Sequence, residues 1–313
     1  MTGSVPAPVG GGIIGLRPAL AVKINGLVPL LASSIEELPA AAAHLESLGV
    51  DQLVLGHHWF SDPETTHPGS IPLDPNRVSL DPLVVIAGLA TRTQNLRFAT
   101  GGLIASLYHP LALAKSVATL DQLSGGRFEL GLVAGWQQSE FAAAGVPFDE
   151  RFGRMIEAVQ VCRAVWSGSP FSFEGRWLTV GPAYSQPLPI SGARLPIHLG
   201  GGATRPALAR VVRYGDGWIA SEAADAATIK TGCVLLRQLC AESGVAASRF
   251  AIRATASPGG GVADVRAALS SYLDAGATVV TLPLASWARS GEEALEVLAA
   301  AVSTVHEAGR VHR

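Results

Sequence analysis

Cysteine is scarce in this chain: Cys162, Cys233 and Cys240 are its only three, too few and too scattered for a disulfide framework. No CxxC or Cys/His spacing marks a zinc site, so no metal is expected and a reducing, cytoplasmic setting fits. Charge is sparse as well. Only 15% of residues are charged, the formal net charge is -2, and no run of Lys or Arg occurs, which leaves no basic field to grip a nucleic acid backbone. No uninterrupted apolar stretch reaches the ~18 residues of a membrane span. The first twenty residues lack a basic segment followed by a long apolar run, so residues 1–20 are expected to form a loose, flexible tail and not a signal peptide. The glycine run Gly200-Gly201-Gly202-Ala203-Thr204-Arg205 matches neither GxxxxGK[ST] nor GxGxxG, which counts against nucleoside triphosphate chemistry and a Rossmann dinucleotide site there.

What the chain has is apolar material, 48% of 313 residues, in a regular rhythm. Short apolar runs alternate with amphipathic segments of helical length, the pattern of βα units on a parallel sheet. Eight candidate strands occur: Val22–Leu30, Gln52–Gly56, Leu96–Gly101, Phe128–Val133, Pro196–Leu199, Gly217–Ala220, Phe250–Ala254 and Val279–Leu282. The helices between them are Ser34–Leu48, Asp81–Thr93, Pro110–Leu123, Asp149–Trp166, Arg205–Tyr214, Ala224–Glu242, Val262–Asp274 and Glu292–Glu307. Ser34 with Glu37 reads as a capping box, Asp81-Pro82 as a cap before a first-turn proline, and Gly49, Gly125, Gly215 and Gly276 as helix stops. Eight such pairs predict a single (β/α)8 TIM barrel over 21–313, with a doubly wound open sheet as the lesser option.

Two segments interrupt the rhythm. The loop from Gly56 to Leu80, rich in Pro, His, Asp and Ser, is too long for a simple connector and is a candidate for substrate contact. The stretch from Ser167 to Arg194 alternates apolar and polar residues around Glu174-Gly175, which predicts a β-hairpin inserted after the fourth helix.

Barrel enzymes carry their reactive groups at the carboxyl ends of the strands. There this chain places His57-His58-Trp59, Thr100-Gly101-Gly102, Ala134-Gly135-Trp136-Gln137 with Ser139 and Glu140, and Gly200-Gly201-Gly202-Ala203 before a helix. Glycines permit close approach of a flat ligand, and bare amides at a helix start suit an anion. Adjacent histidines point different ways, so at most one of His57 and His58 is expected to face the opening. His109 is expected to open a helix, and Glu140 is either an acid/base group or a helix-capping charge.

The segment LATRTQNLRFATGGLIASLYHPLALAKSVATLDQLSGGRFELGLVAGWQQSEFAAAGVPFDERFGRMIEAVQVCRAVWSG, with LPIHLGGGATRPALARVVRYGDGWIA, resembles the luciferase-like monooxygenase superfamily, and within it the actinobacterial F420-dependent oxidoreductases. That resemblance implies an enzyme binding coenzyme F420 or FMN at the carboxyl face of a barrel, as a homodimer, acting on a small-molecule organic substrate. By position it implies that Thr100, Gly101 and Gly102 form a bulge beneath the ring, often with a non-prolyl cis peptide. It further implies that Gly135, Trp136 and Ser139 lie beside the ring, that Gly200, Gly201, Gly202, Ala203 and Ser221 contact the phosphate end, and that His58 lies near the reactive ring. Many relatives carry an acidic residue just before that histidine, where this chain has His57. The sugar-phosphate dehydrogenase branch carries a Glu where this chain has Trp136, so a relay on those two carboxylates is not available and sugar-phosphate oxidation is disfavoured. The leading expectation is hydride transfer between reduced F420 and the substrate. The alternatives are an FMNH2-dependent monooxygenase served by a partner flavin reductase, and a non-catalytic flavin-binding protein.

Overall fold

The computed structural model describes residues 17–24, 27, 30–64, 78–257 and 259–311, so the expected tail lies largely outside the described residues and Ala19 already belongs to a strand. In chain order the strands are β1 (Ala19–Lys23), β2 (Gln52–Leu55), β3 (Arg97–Thr100), β4 (Leu103–Ile104), β5 (Phe128–Val133), β6 (Phe171–Glu174), β7 (Thr179–Ala183), β8 (Ile197–Gly201), β9 (Gly217–Ala220), β10 (Ala251–Thr255) and β11 (Val279–Leu282). The helices are α1 (Leu38–Ser47), α2 (Pro82–Ala90), α3 (Pro110–Ser124), α4 (Gln138–Ala143), α5 (Arg151–Trp166), α6 (Arg205–Tyr214), α7 (Ala226–Glu242), α8 (Gly261–Asp274) and α9 (Gly291–Val311). No helix among the described residues is long and apolar enough to cross a membrane.

Strands β3, β2, β1, β11, β10, β9, β8 and β5 pair in parallel in that order, and the pairing of Phe98 with Phe128 joins β3 back to β5. The ring is therefore closed, a (β/α)8 barrel, and the open-sheet option falls. Short β4 runs beside β5 at the rim, and β6 with β7 forms the antiparallel hairpin expected after the fourth barrel helix, α5. Its turn is held by Glu157, whose carboxylate accepts from the amides of Arg176 (2.7 Å) and Trp177 (3.0 Å).

Alternation along each strand decides what fills the barrel. Phe98, Phe128, Leu130, Leu132 and Trp218 belong to the main apolar core, while Ala21, Val54 and Ala99 form a separate small cluster. A polar knot joins five strands. Glu129 on β5 accepts from Arg97 Nη2 on β3 (2.7 Å) and Arg253 Nη1 on β10 (2.8 Å), and it contacts His198 Nε2 on β8 (3.1 Å). Arg253 also donates to Gln52 on β2. Burial alone would raise the Glu129 carboxyl, but the His198 hydrogen bond and the Arg253 charge hold it well below the usual carboxylate range. Gly217 leaves room for this knot: a Cβ there would stand 2.2 Å from His198 Nδ1.

Several boundaries differ from expectation. The first strand begins at Ala19 and ends at Lys23, not at Leu30, and Leu27 and Leu30 lie in turns. Ser34 makes no side-chain cap; Glu37 instead accepts from the Ser33 amide at 2.8 Å. Asp81 does cap α2, accepting from Leu83 and Val84 at 2.9 and 3.0 Å. Gly49, Gly125 and Gly276 have the positive φ of a helix stop, whereas Gly215 is extended with φ -109°.

Candidate active site at the carboxyl mouth of the barrel

The end of β2 delivers two adjacent histidines to different surroundings. His57 turns inward and is 3% exposed, its Nδ1 accepting from the Ile104 amide at 3.4 Å and its ring tilted against Tyr108 at 5.2 Å between centroids. Burial pulls its pKa down to about 4, which keeps the imidazole neutral. His58 stays half-buried, with its ring meeting the edge of Trp136 at 5.3 Å and 68°. The two rings thus diverge, and His57, expected as a candidate proton carrier, is an interior residue.

Glu140 is fully buried, and both of its oxygens are engaged on the β2 loop. Oε2 lies 3.0 Å from His58 Nδ1, and Oε1 accepts from the Trp59 amide at 2.6 Å. It is therefore not an exposed acid or base but the carboxylate that fixes His58. One turn earlier, fully buried Gln137 donates to the Phe60 carbonyl at 3.0 Å and accepts from the Asp62 amide at 3.2 Å. Short helix α4, which periodicity did not reveal, exists to hold these two side chains against the loop from 58 to 62. Trp59 and Phe60 stay 48% and 39% exposed beside it, and residues 65–77 of the expected substrate loop lie outside the described residues.

The glycine positions divide into two groups. At Gly101 and Gly200 a Cβ would meet Val54 Cγ1 at 2.5 Å and Val133 Cγ1 at 2.4 Å, and at Gly102 it would meet Val133 Cγ1 at 3.0 Å. A side chain at any of these three positions would therefore collide with Val54 or Val133. Gly102 turns the chain with φ +132°, and the only cis bonds among the described residues precede Pro170 and Pro187, so the cis bulge implied for Thr100-Gly101-Gly102 is absent. Thr100 is corrected too: it is fully buried, and its hydroxyl donates to the Gly131 carbonyl at 2.7 Å and accepts from the Gly131 amide at 2.8 Å, which ties β3 to β5. Gly135, with φ +86°, lies against Ile104 and Phe141, each 2.8 Å from where a Cβ would sit.

The second group is open. Gly56 has no heavy atom within 4 Å of its Cβ position, and at Gly202 the nearest is Thr204 Cγ2 at 3.9 Å. Gly202 leads through Ala203 to Thr204, the N-cap of α6, whose side chain makes no cap hydrogen bond. With Pro206 in the first turn, the amides of Arg205 and Ala207 are oriented for an anion, where the helix dipole favours negative charge. Ser221 is exposed just past β9, and the half-buried Ser139 has a buried Oγ with no partner among the described residues. Lys23, at the end of β1, is paired with Glu222 just past β9.

The mouth thus combines open backbone at Gly56 and Gly202, a helix start with no side-chain cap, and one imidazole held by a buried carboxylate. The family described as luciferase-like monooxygenase matches residues 21–309. An uncharacterized protein of Mycobacterium tuberculosis, Rv0953c, is 32% identical over 188 residues, covering 58% of this chain and 66% of that protein's length. Among solved structures, the monooxygenase RslO1 from Streptomyces bottropensis superposes with a TM-score of 0.75 at 19% identity, over 92% of this chain and 99% of the other. An F420-dependent secondary alcohol dehydrogenase superposes with a TM-score of 0.73 at 16% identity, also over 92% and 99%. With its barrel closed and its family profile matched over almost its whole length, the chain belongs to the luciferase-like monooxygenase family of enzymes.

Proposed function

We propose that this enzyme moves a hydride between reduced coenzyme F420 and a small organic substrate, with His58 handling the accompanying proton. The observation that carries the reading is the His58–Glu140 pair: a buried carboxylate 3.0 Å from Nδ1 fixes the ring and leaves Nε2 without a hydrogen bond to the described residues. A carboxylate at Nδ1 sets the tautomer and steadies the imidazolium that forms when Nε2 takes a proton. The acidic neighbour absent at position 57 is thus supplied from position 140. That removes the main support for a non-catalytic binding protein.

The residues fit a ring with an anionic tail. Gly56, His58 and Trp136 would border the ring, and Gly202, Ala203 and the first amides of α6 would hold the anionic end, where Thr204 leaves the helix uncapped. When bound, the deazaflavin supplies or accepts the hydride. This chain's own part is to orient ring and substrate, exclude water with Trp59 and Phe60, and hold the proton at His58 Nε2. The alcohol dehydrogenase of the same fold, which its name describes as F420-dependent, supports the choice of cofactor.

Titration of the purified chain with F420 and with FMN tests the reading. Quenching of deazaflavin fluorescence at micromolar concentration or below is expected; tight FMN binding without deazaflavin binding would favour the two-component monooxygenase with a partner reductase. The proposal includes a homodimer, supported by α2, an apolar helix on which Val84 remains 71% exposed.

A further inference from the structure

Beside the start of α6, two arginines stand on one aromatic ring. The guanidinium carbons of Arg151, at the start of α5, and Arg210, on α6, both lie 4.6 Å from the centroid of Phe152, and Arg151 also stacks on Phe148 at 3.8 Å. Among the described residues neither arginine forms an ion pair, in contrast to Arg154 with Glu150 and Arg205 with Glu242. Arg151 donates from one Nη to the Phe148 carbonyl at 2.8 Å, while its Nε is buried without a partner. Arg210 is half-buried, and burial lowers its pKa with no carboxylate to restore it. A partly desolvated cation without a counterion is costly, and an arriving anion would offset that cost.

The position of this pair relative to the mouth is what gives it meaning. Helices α5 and α6 both start at the carboxyl face, since α6 follows β8 and α5 follows β5 by way of α4. Side chains tilt toward the N-terminus of their helix, so Arg210 reaches back toward the α6 start, which it follows by five residues, about 7.5 Å of rise. A tail that leaves the Gly202–Arg205 amides can run over α7 or into the α5–α6 groove. On the α7 side Arg205 is already paired with Glu242, whereas the groove side offers two guanidiniums without counterions.

We propose that Arg151 and Arg210 bind a second anionic group on the cofactor tail, beyond the one held at the start of α6. The ligand class is a deazaflavin whose phosphate is extended by carboxylates; FMN, whose tail ends in a single phosphate, carries no such second group. This inference rests on the cofactor reading above and sharpens it, because it makes affinity depend on tail length.

The test compares two deazaflavin forms, one ending at the phosphate and one extended by glutamates, in fluorescence titrations with the whole chain and its Arg210→Gln and Arg210→Lys variants. The wild type is expected to bind the extended form about 10-fold or more tightly, a preference that weakens with salt. Arg210→Gln should remove the preference while leaving the shorter form's affinity unchanged, and Arg210→Lys should restore part of it. Thermal melting confirms that the variants fold. Equal binding of the two forms by the wild type, or an equal loss for both in Arg210→Gln, would overturn this inference and leave the cofactor reading standing. Binding of neither form would overturn the cofactor reading, and this inference with it.

Discussion

His57 and His58 are neighbours in sequence with opposite fates, and the difference is one of solvation. The neutral state of His57 follows from burial, which favours the uncharged ring and sets its pKa at about 4 against an ordinary 6.5. Because the folded value lies below the unfolded one, the unfolded chain binds more protons between those values, so stability falls as pH drops from about 6.5 toward 4. A His57→Asn variant, followed by urea unfolding across that window, should show a flatter dependence; an unchanged slope would mean that other groups carry it. For His58 the expectation is kinetic. His58→Ala should reduce turnover by ~10² or more with cofactor binding nearly intact, and Glu140→Gln, which keeps the Trp59 contact but loses the charge, should reduce it by about 10-fold. Full turnover in His58→Ala would leave this residue a structural one.

Elements were legible where their periodicity and their end signals agreed. Asp81 before Pro82 marked the start of α2, and the carboxylate does accept from Leu83 and Val84. Asp81→Ala should therefore cost roughly 1 kcal/mol, read as a lower melting temperature; no shift would mean that the cap contributes nothing. Helix α4 was not legible, because six residues are too few to show a 3.6-residue period and its meaning lies in contacts 75 to 82 residues away, from Gln137 and Glu140 to the β2 loop. No local signal points to such partners. The need for glycine at two strand ends is hidden from the sequence for a related reason. At Gly101 and Gly200 a side chain would collide with Val54 and Val133, neighbours placed there by strand register that no single segment encodes. Thr100 likewise seals a seam because Gly131 lies opposite it.

At the scale of the whole molecule, the closed barrel was readable from the count of βα pairs, while the polar knot inside it was not, since Glu129, His198 and Arg253 come from three separate strands. The depressed Glu129 pKa means that its stabilising share is fully present above its ordinary 4.5 and is lost as pH falls through the lower folded value. Gly217→Ala should drive a methyl into His198 and destabilise the fold by roughly 1–3 kcal/mol or more, as judged by chemical unfolding. Assembly is tested by Val84→Glu, which should shift the proposed dimer to monomer in light scattering; an unchanged mass would place the interface elsewhere or remove it. The whole account turns on one site at the carboxyl mouth, and a crystal structure of the chain soaked with F420 examines it directly. The expected density sets the ring beside His58 and Trp136, with its phosphate on the amides of Gly202, Ala203, Arg205 and Ala207. A ring bound elsewhere, or no ring at saturating concentration, would contradict the account.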